Sequence, residues 1–202
     1  MDNRRTWLLV LAAAVLVALV YSGIAPYDRA TWWMEVAPVL IAAPVLVATY
    51  GRFPLTTLLY LVIALHAVVL MAGGAYTYAR VPLGFWLQDL LSLSRNPYDK
   101  IGHFMQGFVP ALVAREILIR AGHIARGRMA SFLSLCVALA VSLAYELIEW
   151  GAALALGQGA DEFLGTQGDA WDTQSDMFMA LLGASAALLL LARVQDRQMS
   201  RL

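Results

Sequence analysis

The sequence predicts an all-α, polytopic membrane helix bundle of six transmembrane helices with both termini in the cytoplasm. Three observations predict it: six apolar runs of spanning length, a scarcity of charge, and a lopsided distribution of arginine. Of 202 residues, 61% are hydrophobic and 14% charged, with a mean hydropathy of +0.69. A soluble domain carries about 25% charged residues and has nowhere to put so much apolar surface. The net charge is zero, so no global field points to nucleic acid. Cys136 is the single cysteine and lies in an apolar run, which excludes a disulfide framework and a thiolate metal site. No linker separates two parts, and residues 1–202 read as a single transmembrane domain.

Hydrocarbon about 30 Å thick is crossed at about 1.5 Å per residue, so a span needs roughly 20 mostly apolar residues in helical form. The runs 6–24, 32–50, 54–74, 99–120, 129–156 and 173–193 meet that need. The first follows Arg4 and Arg5 as a signal peptide would, but its apolar core is too long for one and reads as an uncleaved span. The second contains Pro38 and Pro44, which predict a kink. Between the third and fourth, residues 75–98 place Phe85, Trp86, Leu87 and Leu90 among polar residues, predicting an interfacial helix. Alternating sides from the N-terminus puts ten arginines inside (Arg4, Arg5, Arg52, Arg115, Arg120, Arg126, Arg128, Arg193, Arg197, Arg201). Only Arg29, Arg80, Arg95 and Lys100 fall outside. Short loops with that bias set the orientation.

The acids run the other way. Asp2, Glu116 and Asp196 fall inside, and the other eleven at or toward the outside. Three helices carry polar pairs about one turn apart: Asp99 with His103, Glu146 with Glu149, and Asp172 with Asp176. With alternating spans, all three pairs reach similar depth in the outer half. The expected arrangement is an outward-facing cluster on the periplasmic side. An isolated carboxylate near hydrocarbon costs about 2.5–3.5 kcal/mol, so a cation, protonation or a wet cavity must offset it. Several carboxylates with one imidazole form a hard, oxygen-rich set. It favours Mg²⁺, Mn²⁺ or Ca²⁺, with Zn²⁺ or iron compatible. The expected metal ligands are Asp99, His103, Glu146, Glu149, Asp172 and Asp176, with His103, Glu146 and Glu149 as acid–base groups.

Blander readings stand beside this one. Asp99 and Asp172 suit helix N-termini as caps, and Asp161 and Glu162 suit a wet loop. Glu35, next to Trp32 and Trp33, suits interfacial solvation first, with a place in the cluster as the alternative. His66 suits a hydrogen-bonded packing role. Arg115 and Glu116 read as snorkelling residues. Gly183 and Ala187 read as a close helix contact. Arg80, Arg95 and Lys100 are outer cations suited to pairing with the acids or to an anionic lipid head group.

The segments Tyr98-Asp99-Lys100-Ile101-Gly102-His103-Phe104, Tyr145-Glu146-Leu147-Ile148-Glu149-Trp150, Gly165-Thr166-Gln167-Gly168-Asp169 and Trp171-Asp172-Thr173-Gln174-Ser175-Asp176-Met177 together resemble the YjdF family of bacterial inner-membrane proteins. The resemblance covers nearly the whole chain and implies a multi-pass inner-membrane location rather than an activity. The Asp-Lys-x-x-His opening also resembles VanZ-like membrane proteins. Their glutamine and arginine after the glutamate, and their asparagine after the last aspartate, are not matched here.

Three functions follow as expectations. The first is a divalent-metal-dependent enzyme acting on a lipid or lipid-linked phosphate at the outer leaflet, its metal activating water. Neither a Gly-x-Ser-x-Gly elbow nor a His-Glu-x-x-His pair accompanies it. The second is a transporter of divalent cations or protons, disfavoured by apolar inner halves and the lack of an inverted repeat. The third is a scaffold or binding protein whose polar cluster locks the bundle. In each, membrane lipids are the partners, and the sequence fixes no oligomeric state.

Overall fold

A computed structural model describes residues 3–156 and 167–202. Among these residues there are seven α-helices and no strand: α1 (Asn3–Ser22), α2 (Arg29–Thr49), α3 (Thr57–Tyr76), α4 (Pro82–Leu91), α5 (Tyr98–Arg120), α6 (Arg128–Leu156) and α7 (Asp172–Met199). A 3-10 turn, Tyr78–Arg80, links α3 to α4. Asp161 and Glu162, read as a wet loop, lie outside the described residues, as do Gly165 and Thr166.

Local chemistry accounts for several of these boundaries. Asp28 caps α2 by accepting a hydrogen bond from Thr31 N at 2.7 Å, and that bond holds its carboxyl below the usual carboxylate range. Thr56 caps α3 through Leu59 N. Pro38 and Pro44 fall inside α2 without ending it. The expected interfacial helix is α4, which starts with proline in its first turn, where a missing N–H costs nothing. It leaves Leu83, Phe85, Trp86, Leu90 and Leu91 exposed.

Five helices, α1, α2, α3, α6 and α7, are long and apolar enough to cross a membrane. Their outward Val and Leu side chains are exposed along α1, α2, α6 and α7, as lipid contact requires. The molecule is therefore an all-α polytopic membrane bundle. The fourth expected span is α5. Carrying Asp99, Lys100, Arg115, Glu116 and Arg120, it does not share the apolar composition of the five.

Instead α5 is the innermost helix, packing on α3, α6 and, most extensively, α7. Leu59 and Val62 of α3 meet Met105, Val109 and Leu112 of α5, with Ala187 of α7 closing the cluster. Ala111, Ala138 and Ala184, all fully buried, fill the α5–α6–α7 junction. Small side chains let these backbones approach. The closest points are two glycines: a methyl on Gly107 would fall on the Ala180 carbonyl, and one on Gly183 on the Phe104 carbonyl. On the other side, Trp32, Val36 and Val39 of α2 pack against Ala67, Leu70 and Met71 of α3. Peripheral α1 rests on α3 and buries only Ser22.

The C-terminal end of α5 corrects one expectation. Arg115 and Glu116 do not snorkel: both are buried, with Glu116 at 0% exposure. Its carboxylate accepts hydrogen bonds from Thr56 N (2.8 Å), Thr56 Oγ1 (2.7 Å), Arg120 Nη1 (2.9 Å) and Gln195 Nε2 (3.3 Å). Arg115 donates to Gln195 Oε1 at 3.1 Å and pairs with Asp196 at 2.9 Å. The start of α3 and the end of α7 supply partners that a reading of α5 alone cannot show.

Candidate functional site

The opposite end of α5 opens with Asp99, Lys100 and His103 in its first two turns. Asp99 and His103, four residues apart, lie on one face, with Asp99 Oδ1 3.4 Å from His103 Nε2. Packing of α7 against α5 brings Asp176 Oδ2 to 3.8 Å from the same nitrogen. Packing of α6 brings Glu146 Oε1 to 3.7 Å from His103 Nδ1, on the other edge of the ring. Gln106 Oε1 lies 3.2 Å from Nδ1.

A chain of cations runs along the α7 side. Lys100 Nζ lies 2.7 Å from Asp172 Oδ1, 2.6 Å from Asp176 Oδ1 and 3.7 Å from Asp99 Oδ2. Arg95 Nη2 bridges Asp169 Oδ2 at 2.9 Å and Asp172 Oδ1 at 2.6 Å. Burial alone would lower the Arg95 pKa, but its bonds to Asp172 and the neighbouring acids raise it. The capping expectation for Asp172 gives way to these pairs, because neither α5 nor α7 has a side-chain cap bond at its N-terminus. Asn96 fixes the approach to α5. It exchanges hydrogen bonds with Gln167 (3.2 and 3.0 Å), and its Oδ1 accepts from Tyr98 N at 3.0 Å.

The outward-facing arrangement expected from the sequence is overturned. Asp99, His103, Glu146, Asp172 and Asp176 are all buried within the bundle, and Glu149 is only partly exposed. The pairs point at one another across α5, α6 and α7, because the small residues below them draw those helices together. The enzymatic reading on outer-leaflet lipid phosphates rested on an outward cluster and falls with it.

Among the described residues, two groups of three donors could hold a metal ion: Asp99, His103 and Asp176, and His103, Glu146 and Glu149. Within each, the ligand atoms lie within 4.8 Å of one another. Asp172 belongs to neither group; its partners are Lys100 and Arg95. Asp99 Oδ2 and Glu146 Oε1 are buried without a hydrogen-bond partner. A cavity of about 20 Å³ lies beside His103, lined by Glu35, Tyr78, Asp99, Gln106, Tyr145 and Glu149 among others.

Glu35 is the residue that sequence reasoning placed wrongly. It is 2% exposed, and its carboxylate accepts a hydrogen bond from Tyr145 Oη at 3.2 Å, linking α2 to α6. The signal was present: Trp32, Glu35, Val36 and Val39 form a stripe at helical spacing, and the whole stripe is buried. His66 also departs from expectation, since its Nε2 is buried without a hydrogen-bond partner.

Comparison with known proteins agrees with this architecture. Residues 7–197 match the family described as "Predicted membrane protein (DUF2238)". The chain belongs to this family. It is also 61% identical over 190 residues to the inner membrane protein YjdF of Escherichia coli (strain K12), covering 94% of this chain and 91% of that protein. Membership in the YjdF family, expected from the motifs, is thereby shown, and with it a multi-pass inner-membrane protein. No solved structure matches.

Proposed function

We propose that this member of the family is a membrane-embedded metal-binding protein whose buried centre takes a divalent cation, with His103 as nitrogen ligand. The observation that carries the reading is the sharing of one imidazole by two sets of buried carboxylates. Charge supports it. Among the described residues, Glu35, Asp99, Glu146, Glu149, Asp172 and Asp176 gather around His103, against Lys100 and Arg95. Burying that excess is costly unless a further cation offsets it. One imidazole among carboxylates suits Mn²⁺, Mg²⁺ or Ca²⁺ best, and accepts Zn²⁺ or Fe²⁺.

His103 belongs to both donor sets, so its removal tests the reading whichever set holds the ion. Protein purified in detergent after growth with added manganese and zinc should carry metal by elemental analysis. His103→Ala should lose it, together with any rise in Tm on adding the ion. Metal-free wild-type protein whose Tm ignores every divalent ion would end the reading.

The proposal includes six crossings, with α5 as the fourth and both termini cytoplasmic. Ten arginines against four basic residues support this orientation, which sets the buried centre in the outer half of the bundle. A reporter enzyme active only outside the cytoplasm should be silent when fused after Leu202 and active when fused within residues 92–96. Activity from the Leu202 fusion would reverse the topology.

A further inference from the structure

The two donor sets around His103 are not equivalent, and the difference lies in what already neutralises them. The Asp99–His103–Asp176 set contains an ammonium. Lys100 Nζ sits 2.6 Å from Asp176 and 3.7 Å from Asp99, and 2.7 Å from the adjoining Asp172. A dication in the same place would meet a like charge at contact distance. The His103–Glu146–Glu149 set has nothing comparable. Among the described residues, no lysine or arginine pairs with Glu146 or Glu149, and the one ion-pair partner of Glu146 is His103 itself. Glu146 is more than nine-tenths buried, yet its Oε1 has no hydrogen-bond partner and is aimed at His103 Nδ1. A buried carboxylate oxygen left in that condition costs stability unless a ligand completes it.

Free space adjoins one carboxylate of each set: the cavity of about 20 Å³ is lined by Asp99, Glu149, His103 and Glu35, whereas Lys100, Asp172, Asp176 and Glu146 do not line it. A volume of that size holds about one water or one small ion with its remaining ligand. Tyr145 Oη holds Glu35 in place from α6.

We infer that the divalent cation binds on the Nδ1 side of His103, between Glu146, Glu149 and the cavity, while Lys100 serves as the resident cation of the Asp99–Asp172–Asp176 side. The inference rests on the metal-binding reading and assigns its place. His103 then turns Nδ1 from Gln106 Oε1, 3.2 Å away, to the ion, and Nε2 faces Asp99 and Asp176. Such an outer carboxylate contact orients a ligating imidazole and raises its basicity. Glu35 faces the open coordination position and discriminates what enters it. Lys100 becomes a specificity residue, because its ammonium keeps a second ion out.

Metal content per chain, measured on detergent-purified protein equilibrated with Mn²⁺ or Zn²⁺ and desalted, separates the possibilities. Wild type should hold about one ion, as should Asp176→Asn, while Glu149→Gln should hold none. Glu146→Gln reads the same arm if Glu149→Gln does not fold. Lys100→Gln should rise to about two ions, since its removal leaves Asp99 and Asp176 without their cation and Asp172 with Arg95 alone. Loss of the ion in Asp176→Asn with retention in Glu149→Gln overturns the assignment but leaves the metal-binding reading standing. A Lys100→Gln protein that stays at one ion overturns the role of Lys100. Metal-free wild type defeats the parent reading instead.

Discussion

Replacing Gly183 with alanine should lower the thermal unfolding midpoint in detergent by a large margin. The new methyl would land on the Phe104 carbonyl oxygen and also crowd Phe108 N, all backbone atoms of α5. Backbone cannot rotate aside as a long side chain can, so α7 itself has to move. Overpacking a tight core costs about 1–3 kcal/mol, and a clash with backbone belongs at or above the top of that range. Gly107 makes the reciprocal contact with the Ala180 carbonyl, so Gly107→Ala should cost a similar amount. The double variant should cost less than the sum, because both force the same helix apart. Gly51, with nothing near its added methyl, is the control and should be neutral. An unchanged midpoint for Gly183→Ala would show that the α5–α7 approach is looser than described here.

The second large effect belongs to Glu116. Truncation to alanine removes an acceptor of four hydrogen bonds, leaving Thr56 N without its partner and the Arg120 charge with only the Pro54 carbonyl as acceptor. Breaking one side of a buried ion pair costs about 3–5 kcal/mol. The Glu116→Ala protein should therefore unfold at a markedly lower temperature. Replacing Glu116 and Arg120 together with methionine should recover part of the loss, since no orphaned charge then remains. A Glu116→Ala midpoint equal to wild type would contradict the network. Whatever fraction stays folded should still bind metal, because the centre lies at the other end of α5.

Much of the fold was legible because hydropathy is a local property. The six apolar runs correspond to α1, α2, α3, α5, α6 and α7, and the aromatic stretch at Phe85 and Trp86 to α4. The pairs Asp99–His103, Glu146–Glu149 and Asp172–Asp176 were legible too, because helical spacing alone puts each on one face. What covers a face is not local. Lys100 finds its acids 72 and 76 positions along the chain, and Glu116 finds Thr56 60 positions back. A turn-by-turn reading therefore sent Glu35, Arg115 and Glu116 to the interface and turned the carboxylates outward. The tertiary packing of α2, α3 and α7 placed them inside. Only the stripe of Trp32, Glu35, Val36 and Val39 carried a local sign of that outcome.

The order of synthesis gives the polarity of α5 a cost during biogenesis. A charged residue at the bilayer centre costs about 2.5–3.5 kcal/mol on the insertion scale, and less toward the ends. The nearest partners that offset Lys100 and Arg115 lie on α7 (Asp172, Asp176, Gln195, Asp196), which leaves the ribosome tens of residues later. Until then α5 has no stable home in lipid and must wait at the translocon or be held by a membrane chaperone. A nonsense codon just before α7 would accordingly remove α7 and also leave α5 without its partners, a charged segment of the kind that membrane proteases clear.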